Sequence, residues 1–201
     1  MPNTKEYYNK KAQEYAENQS FKNWSNKAEK QYKSHIDKFL EKLNFDKVLD
    51  AGCGPGRDTE YIAQQGYQTT GIDNAEQMIK KATQQKHQAQ YQQMNITDLK
   101  FEDRTFDGIW CNSVMQFLNQ EQMLKALQEF QRTLKPGATL STTFKTGSQH
   151  KNPEPKRHKI VEDKAILLLK KAGFQTPKTM TKFKHNGMKN LRIYTQKPMK
   201  L

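Results

Sequence analysis

The sequence has few cysteines and no long apolar run. Two cysteines, Cys53 and Cys111, occur in 201 residues, and their spacing matches no metal-binding pattern. This scarcity argues against a disulfide-stabilised secreted fold and favours a reducing, cytoplasmic setting. No apolar stretch approaches the roughly 20 residues that a membrane-spanning helix needs, so we expect no membrane contact. The first residues, MPNTKEYYNKKAQEYAENQ, lack the apolar segment that is typical of a signal peptide.

Hydrophobic residues are also scarce, at 34% of the chain, and the mean hydropathy is −1.05. They are nevertheless gathered into short blocks such as KVLDA, FDGIWC and AILLLKKAGF. Clustered apolar residues are able to bury a core, whereas a disordered chain is too poor in them to do so. At this length, the pattern predicts one folded domain.

Negative charge is scarce relative to positive charge. The chain has 34 Lys and Arg residues against 21 Asp and Glu residues, which gives a formal net charge of +13. Such an excess is found in proteins that bind nucleic acid or anionic substrates. It is also found on solvated surfaces, and here Lys, Gln and Asn are spread throughout the chain. The composition favours a solvated surface and leaves nucleic-acid binding open.

Three of the 10 glycines lie close together in the stretch VLDAGCGPGRDT, Val48 to Thr59. A short apolar strand pattern leads into these glycines, and a helix pattern follows them. Glycines in this position let a large ligand approach the backbone. The spacing matches neither G-x-G-x-x-G nor G-x-x-x-x-G-K-[ST], which argues against a ligand that contains pyrophosphate. Asp73 ends the second strand, where an acidic residue often binds ribose hydroxyls, although it is also placed to cap the next helix.

The apolar periodicity predicts alternating strands and helices. Helices are expected over 5–17, 26–43, 58–65, 75–86, 121–134 and 161–172. Strands are expected over 48–51, 68–73, 90–95, 106–112, 138–145, 176–184 and 190–197. Lys135–Gly137 (KPG) is predicted to be a turn before the fifth strand, and His185–Gly187 (HNG) a turn between the last two. This order predicts an α/β fold with a Rossmann-like, seven-stranded, mostly parallel sheet, helices on both faces and a C-terminal antiparallel strand pair.

Four ordered blocks resemble the class I S-adenosylmethionine-dependent methyltransferases. They are VLDAGCGPGRDTEYIAQQGYQTTGID with MIKKA, then MNITDLKF, FDGIWCNSVMQFL and LKPGATLSTTFKTG. The chain is similar in particular to the small single-domain proteins of the ubiquinone/menaquinone-biosynthesis and tellurite-resistance type, over about residues 7 to 197. The resemblance implies S-adenosylmethionine as cofactor and S-adenosylhomocysteine as product. It also implies a single domain, in which residues 1–45 form a helical cap over the site and residues 46–201 form the core.

The resemblance also implies a set of cofactor-binding residues. Those expected around the methionine part are Asp50 for its ammonium group, Gly52, Gly54, Gly56, and Arg57 for its carboxylate. Those expected around the rest of the cofactor are Asp73 at the ribose, Asn74 and Met78 along the ribose and adenine, Asn95 and Ile96 at the adenine edge, Cys111 and Asn112 beside the sulfonium, and Tyr8 and Tyr15 as a cap. The family usually has Asp where this chain has Asn95.

Some of these residues have simpler interpretations. Met78 and Cys111 are more typical of core packing than of ligand contact. Tyr8 and Tyr15 are equally suited to packing the N-terminal helix against the domain. Neither cysteine has a nearby histidine in sequence that would indicate a nucleophile.

The resemblance implies direct methyl transfer, for which no covalent nucleophile is required, and the sequence identifies no catalytic residue. The Asn/Asp-Pro-Pro-aromatic run of amino-group methyltransferases is absent, since the segment reads CNSVMQFL. Gln116 and Phe117 stand where many relatives carry a histidine. Trp110, Met115 and Phe117 suggest an apolar wall, although core packing is the commoner explanation.

We therefore expect a small-molecule methyltransferase, active as a monomer or a homodimer. Two alternatives stay open: an RNA methyltransferase that uses the basic loop and tail, or a non-catalytic S-adenosylmethionine-binding protein. The acceptor is expected to enter between the N-terminal helix and the loop at 146–159. Lys156 and Arg157 in that loop either attract an anionic acceptor or have no role in binding.

Overall fold

A mixed β-sheet runs through the protein. The computed structural model describes residues 3–84, 88–147, 155, 157–177, 179–185 and 188–199. Within them, seven strands form one sheet: β1 (Lys47–Ala51), β2 (Gln68–Asp73), β3 (Gln90–Gln93), β4 (Phe106–Cys111), β5 (Leu134–Lys145), β6 (Thr179–His185) and β7 (Met188–Gln196). Their spatial order is β3-β2-β1-β4-β5-β7-β6. Neighbours from β3 to β5 pair in parallel, whereas β7 is antiparallel to both β5 and β6. This arrangement confirms the predicted fold class.

The residues that the structure describes include six α-helices, which pack around the sheet. They are α1 (Thr4–Gln19), α2 (Asn26–Leu40), α3 (Arg57–Gln64), α4 (Glu76–Thr83), α5 (Gln120–Thr133) and α6 (Glu162–Lys171), with short 3-10 turns at Phe21–Asn23 and Met115–Phe117. Three of the helices, α1, α2 and α5, begin at a polar side-chain cap. Asn3 and Asn119 each form a reciprocal capping box with the residue three positions later. The helix predicted over 26–43 ends at Leu40, and that predicted over 75–86 ends at Thr83.

Two hydrophobic cores lie on opposite faces of the sheet. The larger core contains residues of α5 and α6 together with Leu49, Ile109, Leu140 and Ile193. The smaller core packs α2 and α3 on the other face; its fully or nearly fully buried members are Ile36, Phe39, Leu40, Val48, Ile62, Trp110 and Tyr194. Because alternate residues of a strand face opposite sides, each central strand contributes to both cores.

The segment Lys135–Gly137 was predicted to be a turn, and this prediction is wrong. Strand β5 already begins at Leu134, which pairs with Phe106 of β4. The register then shifts before Gly108, and Gly137 has a φ of +78°. The Gly137 N–H donates to the carbonyl of Lys197, so the backbone stays paired through the irregularity. Pro and Gly therefore produce a local distortion inside a strand rather than a chain reversal.

The connection between β6 and β7 was predicted to turn at His185–Gly187. Asn186 and Gly187 lie outside the described residues, so this prediction stays a prediction. The flanking strands pair in the antiparallel register that a tight turn requires, with Lys184 opposite Lys189. None of the helices in the described part of the chain combines the length and the apolar character needed to cross a bilayer.

Candidate active site

The glycine turn follows β1 at the carboxyl edge of the sheet. Gly52, Gly54 and Gly56 have φ values of +84°, +54° and +90°, which favour glycine over all other residues. The N–H groups of Gly52 and Cys53 both donate to the carbonyl of Ile72, over 2.8 Å, and thus hold the turn against β2. The sequence therefore folds this turn through backbone bonds that side chains would disturb.

The three glycines differ in what surrounds them. A Cβ atom at Gly52 would collide with Val114, and one at Gly56 would lie 2.7 Å from the Tyr91 hydroxyl. At Gly54, by contrast, the nearest neighbour of a Cβ would be the Tyr15 ring, at 3.8 Å. Gly52 and Gly56 are thus required by packing within the protein, whereas Gly54 lies at the cavity wall beneath α1 with room for a Cβ atom.

A cavity of about 580 Å³ opens beside this turn. Its volume lies in the range of sites for small molecules. The structure brings seven of the predicted site residues to its wall: Tyr8, Tyr15, Asp50, Gly52, Gly54, Arg57 and Asn112. Gly56 lies between two lining residues, Pro55 and Arg57, and is the N-cap residue of α3.

Helix α1 covers this edge of the sheet. Its tyrosines Tyr8 and Tyr15 stack edge-to-face, with ring centroids 5.3 Å apart, and Tyr8 makes a similar contact with Phe117. Ala12 packs with Ala75 and Met78 at the start of α4. The tyrosines therefore both line the cavity and hold α1 in place, so the two interpretations of their role are compatible.

Asp73 also serves two purposes. Its carboxylate accepts hydrogen bonds from the N–H of Gly54, over 3.0 Å, and of Ala75, over 2.8 Å. It thereby links the glycine turn to the start of α4, and burial raises its pKa. Asp73 does not line the cavity, and its binding of ribose hydroxyls stays a prediction.

The remaining predicted residues do not line the cavity either. Asn74 is exposed, whereas Met78, Ile96 and Cys111 are buried in the hydrophobic cores. The side-chain oxygen of Asn95 accepts from the N–H and the hydroxyl of Thr97, both over 3.0 Å. Their contacts with adenosine stay predictions, and the packing of Met78 and Cys111 favours the core interpretation.

Asp50 is a buried carboxyl group at the cavity wall. Thr59 donates a hydrogen bond of 2.6 Å to its Oδ2 atom. Burial raises the pKa of Asp50 to about 8, and the negative charge of Asp58 contributes to the shift. A cation beside Asp50 would favour its ionised form. The site therefore fits the ammonium group of S-adenosylmethionine, and the room at Gly54 fits the close approach of such a cofactor.

Asp58, which the sequence analysis did not single out, is the centre of a buried polar network. It accepts hydrogen bonds from the Tyr32 hydroxyl over 2.7 Å, from Trp110 Nε1 over 2.9 Å and from Arg57 Nε over 2.8 Å. Burial alone would raise the pKa of Asp58, but the Arg57 charge and these bonds hold it below its usual value. Asp58 is thus ionised, and its hydrogen bonds hold the side chains of Tyr32, Trp110 and Arg57 in position.

Arg57 was predicted to bind the cofactor carboxylate, and several of its N–H groups already donate hydrogen bonds within the protein. Its guanidinium pairs with Asp58, donates to Gln19 Oε1 over 2.8 Å and lies 4.2 Å from the centre of the Tyr32 ring. Arg57 also lines the cavity. Its positive charge is therefore held in place beside the glycine turn.

Asn112 continues the network towards the C-terminal strands. Its amide nitrogen donates to the Tyr32 hydroxyl over 2.6 Å, and its oxygen accepts from Arg192 Nη2 over 2.9 Å. Arg192 is fully buried and its guanidinium carbon lies 4.2 Å from the centre of the Trp110 ring. Arg192 was not predicted from the sequence, although its position between the apolar residues Leu191 and Ile193 is a usable signal.

The apolar wall suggested for Trp110, Met115 and Phe117 is only partly formed. Trp110 and Met115 are fully buried core residues, whereas Phe117 contacts Tyr8 at the cavity edge. Arg157 lines the cavity, whereas Lys156 lies outside the described residues. Within the described ranges, no three His, Cys, Asp or Glu side chains are grouped in a way that would hold a metal ion.

Part of the chain is similar to known methyltransferases. Residues 49–142 match the family model described as a methyltransferase domain. A malonyl-[acyl-carrier protein] O-methyltransferase of Enterobacter lignolyticus is 36% identical over 104 residues, which are 52% of this chain and 41% of that protein. The chain thus matches about two fifths of the length of this curated relative.

Solved structures share the fold. Magnesium protoporphyrin IX methyltransferase from Synechocystis with bound S-adenosylhomocysteine has a TM-score of 0.76 at 16% identity, covering 96% of this chain and 97% of that one. A protein of Methanosarcina mazei described as a SAM-dependent methyltransferase has a TM-score of 0.72 at 22% identity, covering 82% and 97%. At these identities the similarity establishes the fold.

Proposed function

We propose that this chain is a class I S-adenosylmethionine-dependent methyltransferase that transfers a methyl group to a small-molecule acceptor. One observation carries the proposal: a single cavity extends from the glycine turn to Asn112 and Lys145. A cofactor held at the turn and an acceptor held beside Asn112 and Lys145 would therefore share one cavity. The O-methyltransferase activity named for the Enterobacter relative supports a small acyl or acid-like acceptor.

Different residues would bind different parts of the cofactor. Gly54 would contact it through the backbone, Asp50 would bind its ammonium group, and Asp73 would accept hydrogen bonds from its ribose hydroxyls. Tyr8 and Tyr15 cover the site and exclude water from it. The Tyr32 and Asn112 side chains are held by hydrogen bonds, so the wall that faces the acceptor is ordered before binding.

When bound, S-adenosylmethionine supplies a methyl group on a positively charged sulfur; the new bond forms between the methyl carbon and the acceptor atom as the carbon–sulfur bond breaks. The protein must align the acceptor and keep water out. A base is needed only for an acceptor that is protonated at the working pH. An anionic acceptor needs none, which is compatible with Gln116 and Phe117 at the position where relatives carry histidine.

The size of the cavity favours a small molecule over RNA. A cavity of about 580 Å³ beneath α1 suits one cofactor and a compact acceptor. RNA recognition generally uses exposed aromatic platforms and extended basic surfaces. Within the described residues, the arginines and lysines at the site are instead buried or half-buried.

We place the protein in the cytoplasm, as a monomer or a homodimer. Cys53 and Cys111 are both free and buried, which suits a reducing compartment. Size-exclusion chromatography with light scattering determines the oligomeric state directly.

Calorimetry with S-adenosylmethionine, S-adenosylhomocysteine and NAD tests the cofactor part of the proposal. We expect micromolar dissociation constants for the first two and no heat signal with NAD. Asp73→Asn should weaken S-adenosylhomocysteine binding by about tenfold or more, because it removes charge-assisted hydrogen bonds. Transfer of labelled methyl from the cofactor to a metabolite extract tests catalysis. Cofactor binding without any labelled product would instead identify a non-catalytic binding protein.

A further inference from the structure

Side chains of β5 and β7, together with Asn112 after β4, form a polar floor in the cavity. Asn112 extends from the end of β4, Lys145 from β5, and Asn190 and Arg192 from β7. Thr143 of β5 is opposite Arg192, and Lys145 is opposite Asn190, so these side chains face the same side of the sheet. The floor is therefore built from paired backbone and not from a loop.

Two positive charges on this floor lack a matching carboxylate. Arg192 and Lys145 are 0% and 4% exposed. Arg192 donates to Asn112 and to Ser141 Oγ, and Lys145 Nζ donates to Gln116 Oε1 over 2.7 Å; all three partners are neutral. Among the described residues, neither cation forms an ion pair. The Nε atom of Arg192 is buried with no hydrogen-bond partner in the described structure.

The acids at the cavity wall do not neutralise this floor. They are Asp50 and Asp58, and Asp58 is already paired with Arg57. Asp50 lies at the glycine turn, where burial raises its pKa and disfavours its negative charge. Burial and the positive charge of Arg157 lower the pKa of Lys145 to about 8. The surroundings of Lys145 therefore disfavour its protonated form.

An unpaired buried cation is costly to a folded protein, and an anion in the cavity would offset that cost. We infer that the methyl acceptor is a small organic acid whose carboxylate binds at the floor formed by Arg192 and Lys145. This inference rests on the proposed function and names the substrate class for the same cavity. The cofactor's own carboxylate is the competing occupant, and Arg57 at the glycine turn is better placed for it.

The experiment uses carboxylates and their neutral counterparts. Acetate, malonate, succinate and benzoate are each compared with the matching amide, which keeps the shape and removes the charge. Binding to the full-length protein, saturated with S-adenosylhomocysteine at pH 7, is measured by calorimetry and by the shift in melting temperature. We expect at least one acid to bind with a dissociation constant below about 10 mM, and its amide to bind at least about tenfold more weakly.

Three variants test whether the acid binds at the floor, and a fourth serves as the control. Lys145→Gln and Arg192→Gln should each weaken acid binding by about tenfold or more, while the affinity for S-adenosylhomocysteine stays within about twofold of wild type. Lys145→Arg should restore acid binding in part, because it keeps the charge. Lys171→Gln removes an exposed positive charge on α6, on the other face of the sheet, and should change neither affinity. If Arg192→Gln fails to fold, the comparison of Lys145→Gln with Lys145→Arg alone tests whether the acid binds at the floor.

Several outcomes would overturn the inference. They are no acid binding below about 10 mM, equal binding of acids and amides, or acid binding that survives both Gln substitutions. A loss of S-adenosylhomocysteine affinity in Lys145→Gln and Arg192→Gln, with acid binding unchanged, would assign the floor to the cofactor. If wild type fails to bind S-adenosylhomocysteine at all, the proposed function fails, and acid binding measured without it still tests the floor.

Discussion

Trp110 Nε1 donates a hydrogen bond of 2.9 Å to Asp58 Oδ2, and this bond ties β4 to the first turn of α3. Both side chains are buried, and Arg57 and Tyr32 complete the shell around the carboxylate. Asp58 therefore holds together the elements that flank the glycine turn on the α2 and α3 face. Its removal would disturb both stability and the shape of the cavity.

Asp58→Asn should lower the free energy of unfolding by about 3–5 kcal/mol at pH 7, because it leaves Arg57 buried without a counter-charge. The folded-state pKa of Asp58 lies below its unfolded value of 3.8, so its contribution is present above that value and is lost as the pH falls. Urea unfolding at pH 7 and at about pH 3 checks this, since the difference between wild type and variant should shrink once the pH is below the unfolded-state pKa.

Asp50→Asn should have the opposite pH dependence. The folded-state pKa of Asp50 is about 8, well above its unfolded value of 3.8. The folded protein therefore keeps a proton that the unfolded chain has lost, and wild type loses stability as the pH rises from about 4 to about 8. The amide in the variant does not titrate. Urea unfolding at pH 5 and pH 8.5 should show the variant gaining stability relative to wild type at the higher pH, while its affinity for S-adenosylhomocysteine falls.

Gly54→Ala and Gly66→Ala separate ligand contact from backbone strain. Both glycines have positive φ, +54° and +92°, so both substitutions should cost about 1–2 kcal/mol of unfolding free energy. Gly66 has open space around it, whereas Gly54 faces Tyr15 in the cavity. Calorimetry should show loss of S-adenosylhomocysteine binding in the Gly54 variant alone. Equal affinities in the two variants would remove Gly54 from the cofactor site.

Tyr32→Phe tests whether the hydroxyl that joins Asn112 to Asp58 matters for turnover. Tyr61→Phe is the matched control, because the Tyr61 hydroxyl also donates to a carboxylate, Asp37, but lies outside the cavity. Both variants should lose about 1 kcal/mol of unfolding free energy or somewhat more. Only Tyr32→Phe should reduce the rate of methyl transfer, measured with labelled cofactor at saturating acceptor.

Cys53→Ala and Cys111→Ala should retain methyl transfer. Burial raises the pKa of both thiols, to about 12 for Cys111, so neither is a thiolate at neutral pH. The native protein should resist iodoacetamide and react with it only after denaturation, as mass spectrometry would reveal. Loss of all turnover in either variant, with cofactor affinity intact, would contradict direct transfer.

The sequence predicted the fold well because local patterns and global structure agree. The glycine turn, the alternation of strands and helices, and the closing strand pair all depend on neighbours in sequence. The KPG segment failed because its outcome depends on pairing of Leu134 with Phe106 and of Gly137 with Lys197, which no local pattern shows. Proline and glycine alone favour a turn, and tertiary contacts overrode that preference.

The site was predicted less completely than the fold. Residues on the glycine turn were found because their motif is continuous. The Asp58 network was missed because its members come from distant parts of the chain: Tyr32 is 26 positions from Asp58, and Trp110 is 52. Arg192 and Lys145 likewise meet at the floor only because β7 returns antiparallel to β5. Such groupings depend on strand order, which sequence spacing does not reveal.

The alternation of residues along β7 has a consequence for how such an enzyme changes during evolution. Leu191 and Ile193 pack in the larger core, whereas Arg192 faces the cavity. Mutations at position 192, and at 145 on the neighbouring strand, would therefore alter which acceptors are accepted while the residues that fold the domain stay untouched. A lineage could exchange one acceptor for another through two or three substitutions on this floor. Descendants of a common ancestor would then differ in chemistry and still share every core contact.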